Sequence, residues 1–285
     1  MIRVYERKLI TELYARHRPA YSAQLIKSIM GFCNRNNPQI GKQHDLLLDV
    51  ACGSGQATRQ FAPYFKRLLG VDVSSNQIRL AKHHNTHDNI FYEEGCAESL
   101  PEQDNSVDLV VSATACHRFQ LDVFFSEVLR VLKLRGCLAL FAYQPPSLNP
   151  ICVSNHSVRE SLAKESSDLF YEFCQVKTDA VTNHHIDSKY ADIVEMLPFK
   201  VKVHITENLN HTLEWKLDDV IGYYKSLAAY HESMRLKSAK ENDFAETLRT
   251  TLKKSWGVMN KADKDVSVVV DFPIFLVMGS GKKSQ

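Results

Sequence analysis

The chain has 285 residues, and its 35 lysines and arginines against 33 aspartates and glutamates leave a formal net charge of +2. A chain of this length can bury a large core, either in one domain with an insertion or in two small ones. Its near-neutral charge provides no broad basic field for nucleic acid, so we expect no nucleic-acid partner.

Cysteine usage and hydropathy exclude further classes. The seven cysteines are scattered without a Cys-x-x-Cys pair, which favours reduced thiols over a disulfide framework or a zinc site. The adjacent His184 and His185 lack carboxylates at ligand spacing, so we expect no metal. No apolar run approaches the roughly 20 residues of a membrane span. The charged amino terminus lacks the apolar centre of a signal peptide, and its acidic Glu6 and Glu12 argue against a mitochondrial presequence. The expected setting is cytoplasmic.

The beginning of the chain predicts a helical arm. Two helical stretches are separated by a break near Pro19, and the second ends around residues 34–38. We expect three segments in all. Residues 1–44 form an amino-terminal helical arm or lid, residues 45–146 form a core of alternating strands and helices, and residues 147–285 form a helical cap plus the strands that complete the sheet.

The core opens with residues 46–58, which predict a buried strand, a glycine-bearing turn and a helix. Their sequence is LLLDVACGSGQAT, and its apolar start suits a parallel strand covered on both faces. Gly53 and Gly55 let the backbone turn sharply and approach a ligand because they have no Cβ. A helix beginning near Gln56 then presents its free N–H groups to that ligand.

A second strand, residues 68–71, ends at Asp72, where a carboxylate can accept hydrogen bonds from both hydroxyls of a ribose. The ligand is therefore nucleotide-like, and a dinucleotide such as NAD must be considered. Asp49 argues against NAD, because this acid would repel a pyrophosphate, whereas it suits a cationic amine or holds the turn. Gly53 and Gly55 also lack the third glycine of the dinucleotide pattern.

The remaining elements continue the alternation and predict an α/β fold with a doubly wound, mostly parallel sheet. The predicted elements are strands at 90–92 and 107–111, a helix at 121–132, a strand at 137–143 after Gly136, polar helical residues 150–198, a strand at 200–205, a helix over 217–249, and two final strands at 266–270 and 274–278 interrupted at Pro273.

Residues 46–143 resemble the class I S-adenosylmethionine (SAM)-dependent methyltransferases, in the branch related to UbiE-type and trans-aconitate methyltransferase-like enzymes. The resemblance is carried by the turn DVACGSG, by the acid after the second strand, and by GCAESLP at residues 95–101. It implies a Rossmann-like fold with a seven-stranded sheet whose last strand is antiparallel. It also implies SAM as the cofactor and methyl transfer as the activity. One departure is Ala51, which stands where the family usually has its first glycine.

The resemblance also implies which residues meet the cofactor. The first turn and the loop after the fourth strand would hold its methionine part, and Asp72 and residues 96–98 its ribose and adenine. The implied cofactor-binding residues are Tyr14, Arg18, Tyr21, Asp49, Ala51, Gly53, Gly55, Asp72, Val73, Ala97, Glu98, Ser112, Ala113 and Thr114.

The candidate catalytic residues are Arg18, His117 and Tyr143. The stretch YARHRPAY at residues 14–21 is similar to the arm that in these relatives folds over the cofactor, with a Tyr and an Arg that reach the methionine carboxylate or the acceptor. Arg18 would suit a carboxylate through bidentate hydrogen bonds, although Arg18 and Pro19 would also suit the end of a surface helix. The resemblance places His117 in the acceptor pocket. Tyr143 lies just past the carboxyl end of a strand, where substrates bind.

The expected activity is methylation of a small molecule, with O-methylation of a carboxylate as the leading hypothesis. A carboxylate is ionised at pH 7 and needs no base, whereas a hydroxyl or an amine would need one such as His117. A protein or a lipid- or quinone-type acceptor is an alternative. Another is a SAM-binding regulatory protein without turnover. The sequence leaves the oligomeric state open.

Overall fold

The structure is a computed structural model and describes residues 8–38, 43–175, 180–236 and 243–282. The chain divides into two compact units. The core unit is drawn from Ala20–Ala142, His184–Leu209 and Ile274–Gln285, and the second unit from Met1–Pro19, Tyr143–Asn183 and Asn210–Pro273. Within the described ranges, no helix has the length and apolar character needed to cross a membrane.

Eleven α-helices and nine strands fall within the described residues. The helices are α1 (Lys8–His17), α2 (Ala23–Asn36), α3 (Gln56–Gln60), α4 (Ser75–His83), α5 (Leu121–Val131), α6 (His156–Gln175), α7 (Ala180–Asp187), α8 (Ala191–Met196), α9 (Leu217–Lys225), α10 (Ala228–Leu236) and α11 (Phe244–Ser255). The strands are β1 (His44–Val50), β2 (Phe65–Asp72), β3 (Ile90–Glu94), β4 (Val107–Ala113), β5 (Leu132–Tyr143), β6 (Ser147–Asn149), β7 (Phe199–Ile205), β8 (Asn210–Lys216) and β9 (Ser267–Lys282).

The core unit is built on a seven-stranded sheet. Its strands lie in the order β3-β2-β1-β4-β5-β9-β7, with the first five paired in parallel and β7 antiparallel to the second half of β9. The predicted fold class is confirmed. Because the strand order reverses between β1 and β4, the carboxyl ends of these two strands flank the crevice in which such sheets bind ligands.

The amino ends of the central strands are joined by one buried acid, Asp108. Its carboxylate accepts the backbone amides of Asp45 and Leu46 at 2.9 and 3.0 Å and the Lys133 ammonium at 3.0 Å. A buried carboxylate is tolerated only when it is paired and hydrogen-bonded. Asp108 therefore stabilises the sheet at the amino ends of its strands, opposite the carboxyl ends at which such sheets bind ligands.

The second unit has a small antiparallel sheet, because β6 and β8 pair with the first half of β9. Its interior is aromatic. Tyr223 of α9 packs against Phe272, Trp215 and Phe170 with ring centroids 5.3, 5.8 and 6.1 Å apart. Edge and offset contacts of this kind stabilise a core beyond the area that they bury.

The structure confirms several predicted elements and corrects others. The two arm helices that were predicted on either side of Pro19 are α1 and α2. The strands β6 and β8 were not predicted. The helix predicted over 217–249 is divided into α9, α10 and α11, and residues 237–242 of that prediction lie outside the described ranges. β5 begins at Leu132, ahead of Gly136. Pro273 does not interrupt β9, because it pairs with Asn210 at the end of the β8 ladder, where a missing N–H costs little.

Candidate functional site

The turn after β1 adopts left-handed backbone at three positions. Ala51, Gly53 and Gly55 have φ of 57°, 56° and 77°. Gly55 has no alternative, since a Cβ there would lie 2.2 Å from the Tyr92 hydroxyl oxygen. Ala51 is the strained member, because a side chain disfavours this region. The backbone amide of Cys52 donates to the Val71 carbonyl at 2.9 Å and ties the turn to β2.

Asp72 is fixed at the carboxyl end of β2 by two backbone amides. Its Oδ2 accepts the Gly53 amide and its Oδ1 the Ser74 amide, both at 2.9 Å. A carboxylate held in this way presents two acceptor oxygens side by side, which suits the two hydroxyls of a ribose. The neighbouring Val73 is 49% exposed, which leaves an apolar surface beside the acid where an adenine was predicted.

Asp49 is wholly buried at the end of β1. Its Oδ2 accepts the Thr58 hydroxyl at 2.5 Å. Burial is the main cause that raises the pKa of this carboxyl to about 7, and repulsion from Asp72 adds to it. In the described part of the chain, the buried oxygens that lack a hydrogen-bond partner include Asp49 Oδ1, Ser54 Oγ and Ser112 Oγ. Since buried polar groups are ordinarily paired, these atoms indicate a polar and cationic ligand.

Tyr21 joins three parts of the core unit. Its backbone exchanges two hydrogen bonds with the Gln60 side chain in α3, at 3.2 and 2.5 Å. Its hydroxyl lies 3.0 Å from Thr114 Oγ1, just after β4, and its ring meets Phe141 of β5 edge-on at 4.9 Å. The structure thus brings Tyr21 together with Thr114, and both were predicted to meet the cofactor.

The segment after β3 also approaches Asp72. The Gly95 amide donates to the Asp72 carbonyl at 3.1 Å, which places Cys96 and Ala97 next in the chain. Ala97 is buried. Glu98 has a structural contact that the sequence did not reveal, because its Oε1 accepts the Gln120 amide at the start of α5 at 3.1 Å. At the end of β4, Ser112 is buried and Ala113 half-buried.

Three further predicted residues, Tyr14, Arg18 and Tyr143, meet inside the second unit. Arg18 donates from Nη1 to the Tyr143 hydroxyl at 2.7 Å. Its guanidinium carbon lies 5.0, 5.9 and 5.2 Å from the ring centroids of Tyr14, Tyr143 and Tyr223. These distances are within the range of cation–π attraction. We call Arg18 with these three tyrosines the arginine cluster. Tyr223 is not among the residues that the sequence predicted for the site.

His117 lies in the short 3₁₀-helix Cys116–Arg118 directly after β4. Its Nδ1 is 2.9 Å from the hydroxyl of Tyr190. Tyr190 was not predicted, because it lies 73 residues further along the chain in a stretch predicted only as polar and helical. No group of three or more histidine, cysteine or acidic side chains that could hold a metal occurs within the described part of the chain.

Comparisons with known proteins agree with this geometry. A family model described as a methyltransferase domain matches residues 48–140. A Dictyostelium discoideum protein named as a methyltransferase is 28% identical over 269 residues, which cover 94% of this chain and 92% of that protein. The Saccharomyces cerevisiae protein CRG1, named as a SAM-dependent methyltransferase, is 31% identical over 138 residues, 47% of this chain and 45% of its own.

A solved structure of a type II methyltransferase from Anaeromyxobacter dehalogenans shares the fold. It covers 94% of this chain and 99% of its own with a TM-score of 0.68, at 23% identity. The sheet order and the family match together define the class of enzyme. The chain is a class I SAM-dependent methyltransferase, and its cofactor is SAM.

The residues of the core unit fit this cofactor. The unpartnered Oδ1 of Asp49 suits a positive charge, and Asp72 offers paired acceptors for a ribose. Ser54 and Ser112 supply hydroxyls for further polar groups of the ligand. The assignment of individual residues to parts of the cofactor stays a prediction.

Proposed function

We propose that this methyltransferase acts on a small molecule and that the methylated group is a carboxylate. The observation that carries the proposal is the arginine cluster. A guanidinium remains charged at every physiological pH and presents N–H donors in a fork that matches a carboxylate. The rings of Tyr14, Tyr143 and Tyr223 hold Arg18 in place, which lowers the entropy lost when an anion binds.

A carboxylate acceptor simplifies what the chain must do. When bound, SAM supplies an electrophilic methyl group. Because a carboxylate is already ionised at neutral pH, no side chain has to remove a proton. The residues then act by binding, orienting and excluding water, and orientation alone can contribute about 7–11 kcal/mol to rate acceleration.

Two further relatives bear on the acceptor. A fatty-acid O-methyltransferase of Mycolicibacterium smegmatis is 30% identical over 93 residues, 32% of this chain and 34% of that enzyme. The sterol 24-C-methyltransferase ERG6 of Saccharomyces cerevisiae is 30% identical over 105 residues, 35% of this chain and 27% of its own. Both matches span about a third of this chain, so neither selects an acceptor, and the preference for a carboxylate comes from Arg18.

The test is a methylation screen with matched substrates. Small carboxylic acids and their amides are incubated with SAM, and methyl esters are detected by mass spectrometry. We expect esters from the acids and at least a tenfold higher KM in Arg18→Ala, because a hydrogen bond to a charged group is lost. Arg16→Ala is the control, since Arg16 is an exposed cation two residues away. Equal KM values in the two variants would contradict a carboxylate held by Arg18.

A second candidate is a hydroxyl or amine acceptor that His117 deprotonates. The hydrogen bond between His117 and Tyr190 favours a defined role for this imidazole. The same screen, extended to alcohols and amines, distinguishes the two. Ether or N-methyl products that disappear in His117→Ala would support the base.

A further inference from the structure

We propose that Tyr190 is a positioning residue for His117. In this arrangement the phenol donates to Nδ1 and keeps the imidazole proton on Nε2, and Nε2–H donates to an oxygen of the acceptor carboxylate. The last step rests on the proposed function. The claim about Tyr190 rests on the packing, backbone and hydrogen bonds of the core unit alone.

The hydrogen bond between Tyr190 and His117 joins a fully buried side chain to a half-buried one. Tyr190 has no exposed surface and belongs to the main hydrophobic cluster of the core unit. Its ring meets Phe275 of β9 edge-on, with centroids 4.7 Å apart. His117 is only half-buried and follows β4 at its carboxyl end. The tyrosine can therefore set the orientation of the imidazole, which is less buried than the phenol.

The backbone at Tyr190 is strained, and its surroundings hold it. Lys189 and Tyr190 both adopt left-handed φ, 53° and 63°, which costs about 1–2 kcal/mol per side chain. The Tyr190 amide donates to the His185 carbonyl at 2.9 Å, and the Val194 amide donates to the Tyr190 carbonyl at 3.0 Å. The Lys189 carbonyl lies 2.7 Å from Nε2 of His204 on β7. Such strain persists where the surrounding structure over-determines it, and it marks candidate functional positions.

The hydrogen-bond inventory of the phenol selects the tautomer. The Tyr190 oxygen lies 2.9 Å from His117 Nδ1, and the Cys116 thiol is a further neighbour of the Tyr190 hydroxyl. A phenol is a far better donor than a neutral imidazole N–H, and an imidazole nitrogen is a better acceptor than a thiol sulfur. The Tyr190 hydroxyl therefore donates to Nδ1, and the imidazole proton lies on Nε2. The reverse arrangement would leave Nε2 as an acceptor and would make His117 a base.

The tautomer is measured directly by NMR. Protein labelled with ¹⁵N-histidine gives long-range ¹H–¹⁵N correlations that distinguish Nδ1–H from Nε2–H, with His117 assigned through His117→Gln. We expect the Nε2–H form in the wild type and a loss of that bias in Tyr190→Phe, which keeps the ring and removes the hydroxyl. An Nδ1–H form in the wild type, or an unchanged signal in Tyr190→Phe, would overturn the role of Tyr190.

Two controls separate positioning from folding. Tyr230→Phe removes another buried tyrosine hydroxyl, the one that donates to Asp243 at 3.1 Å, and it should leave the His117 signals unchanged. Calorimetric affinity for S-adenosylhomocysteine should be equal in wild type and Tyr190→Phe, which shows that the core unit is intact. Cys116→Ala, which removes the thiol neighbour, should also leave the Nε2–H form of His117 in place. If Tyr190→Phe failed the affinity check, the tautomer of the wild type would still decide, because an Nδ1–H form would overturn the proposal.

Kinetics test the link to the acceptor. Tyr190→Phe should raise KM for the carboxylate by about tenfold, as expected for one hydrogen bond to a charged group, and leave KM for SAM unchanged. The NMR result needs no acceptor. An Nε2–H tautomer without any carboxylate methylation would thus overturn the proposed function and retain Tyr190 as the residue that sets the tautomer. An unchanged KM for a carboxylate that is methylated would refute the donor role of Nε2–H.

Discussion

Asp49 makes the stability of the protein depend on pH. Burial raises the pKa of this carboxyl to about 7 in the folded chain, against roughly 4 for an unfolded aspartate. Between these values the folded state binds a proton that the unfolded state does not. The contribution of Asp49 to stability is therefore largest below about pH 4, falls as pH rises toward 7, and changes little above it.

The same group predicts a pH-dependent cofactor affinity. The cationic cofactor should bind the ionised form of Asp49, so we expect affinity for SAM to rise between about pH 6 and about pH 8 and protons to be released on binding. Calorimetric titration in two buffers with different ionisation enthalpies measures this release. Asp49→Asn should abolish the part of the proton release that comes from this carboxyl group. Wild-type binding without any proton release would contradict the prediction.

Ala51 offers a test of local strain. Its φ of 57° is left-handed, which costs an alanine about 1–2 kcal/mol, while a glycine adds about 0.4–1 kcal/mol of unfolded-state entropy. Ala51→Gly should therefore stabilise the protein by roughly 0.5–1 kcal/mol without weakening S-adenosylhomocysteine binding. Denaturant unfolding of both forms measures the difference. A destabilised variant would show that Ala51 has contacts that outweigh the strain.

The sequence predicts the site residues that carry local patterns and misses those defined by packing. Gly53, Gly55 and Asp72 were predicted because a tight turn and a strand-end acid leave a signal in neighbouring residues. Tyr190 leaves none, since its contact with His117 depends on a left-handed tyrosine held by distant elements.

At the level of elements, two helical glycines allow the effect of close packing on stability to be distinguished from the effect of helix propensity. In α9, a Cβ on Gly222 would lie 2.4 Å from the imidazole of His17 in α1. In α2, a Cβ on Gly31 would meet only the Arg35 side chain at 3.6 Å. Gly222→Ala should destabilise by about 1–3 kcal/mol through overpacking, whereas Gly31→Ala should be neutral or stabilising by up to about 1 kcal/mol.

Thermal and denaturant unfolding measure both variants. Gly222→Ala should also raise KM for the acceptor, because α1 carries Tyr14 and leads into Arg18. If both glycines behaved alike in these assays, the close approach of α1 and α9 would not limit stability.

The predictions of strands and helices were wrong where the structure of a segment depends on its pairing with other elements. β8 carries the alternation Thr212, Leu213, Glu214, Trp215 that is typical of a half-buried strand, so a signal was present and overlooked. Pro273 was interpreted as an interruption because a proline lacks an N–H, yet its position at the end of the β8 ladder removes the penalty. The parallel strands were predicted well because burial on both faces requires continuous apolar runs.

For the molecule as a whole, the topology gathers distant segments into one candidate cofactor site. Residues 49–58, 72–73, 95–98 and 112–114 lie at the carboxyl ends of β1 to β4 or directly after them, and parallel pairing places those ends on one edge of the sheet. Contacts to a single ligand should therefore protect several separate peptides at once and leave the opposite edge unaffected.

Hydrogen–deuterium exchange across the whole chain tests this prediction. S-adenosylhomocysteine should slow exchange in the four segments, while residues 105–108 and 132–135 at the amino ends of β4 and β5 serve as the internal control. Asp72→Asn retains the size of the side chain but replaces one carboxylate oxygen with a donor, so it should weaken both binding and the pattern of protection. Protection confined to one segment, or spread equally over both edges, would contradict a site built from the strand ends. The hydrogen bonds of Asp108 to Asp45, Leu46 and Lys133 lie outside the four segments. Equal protection at both edges would therefore reflect a general stiffening of the fold by mass action and not direct contacts with the ligand.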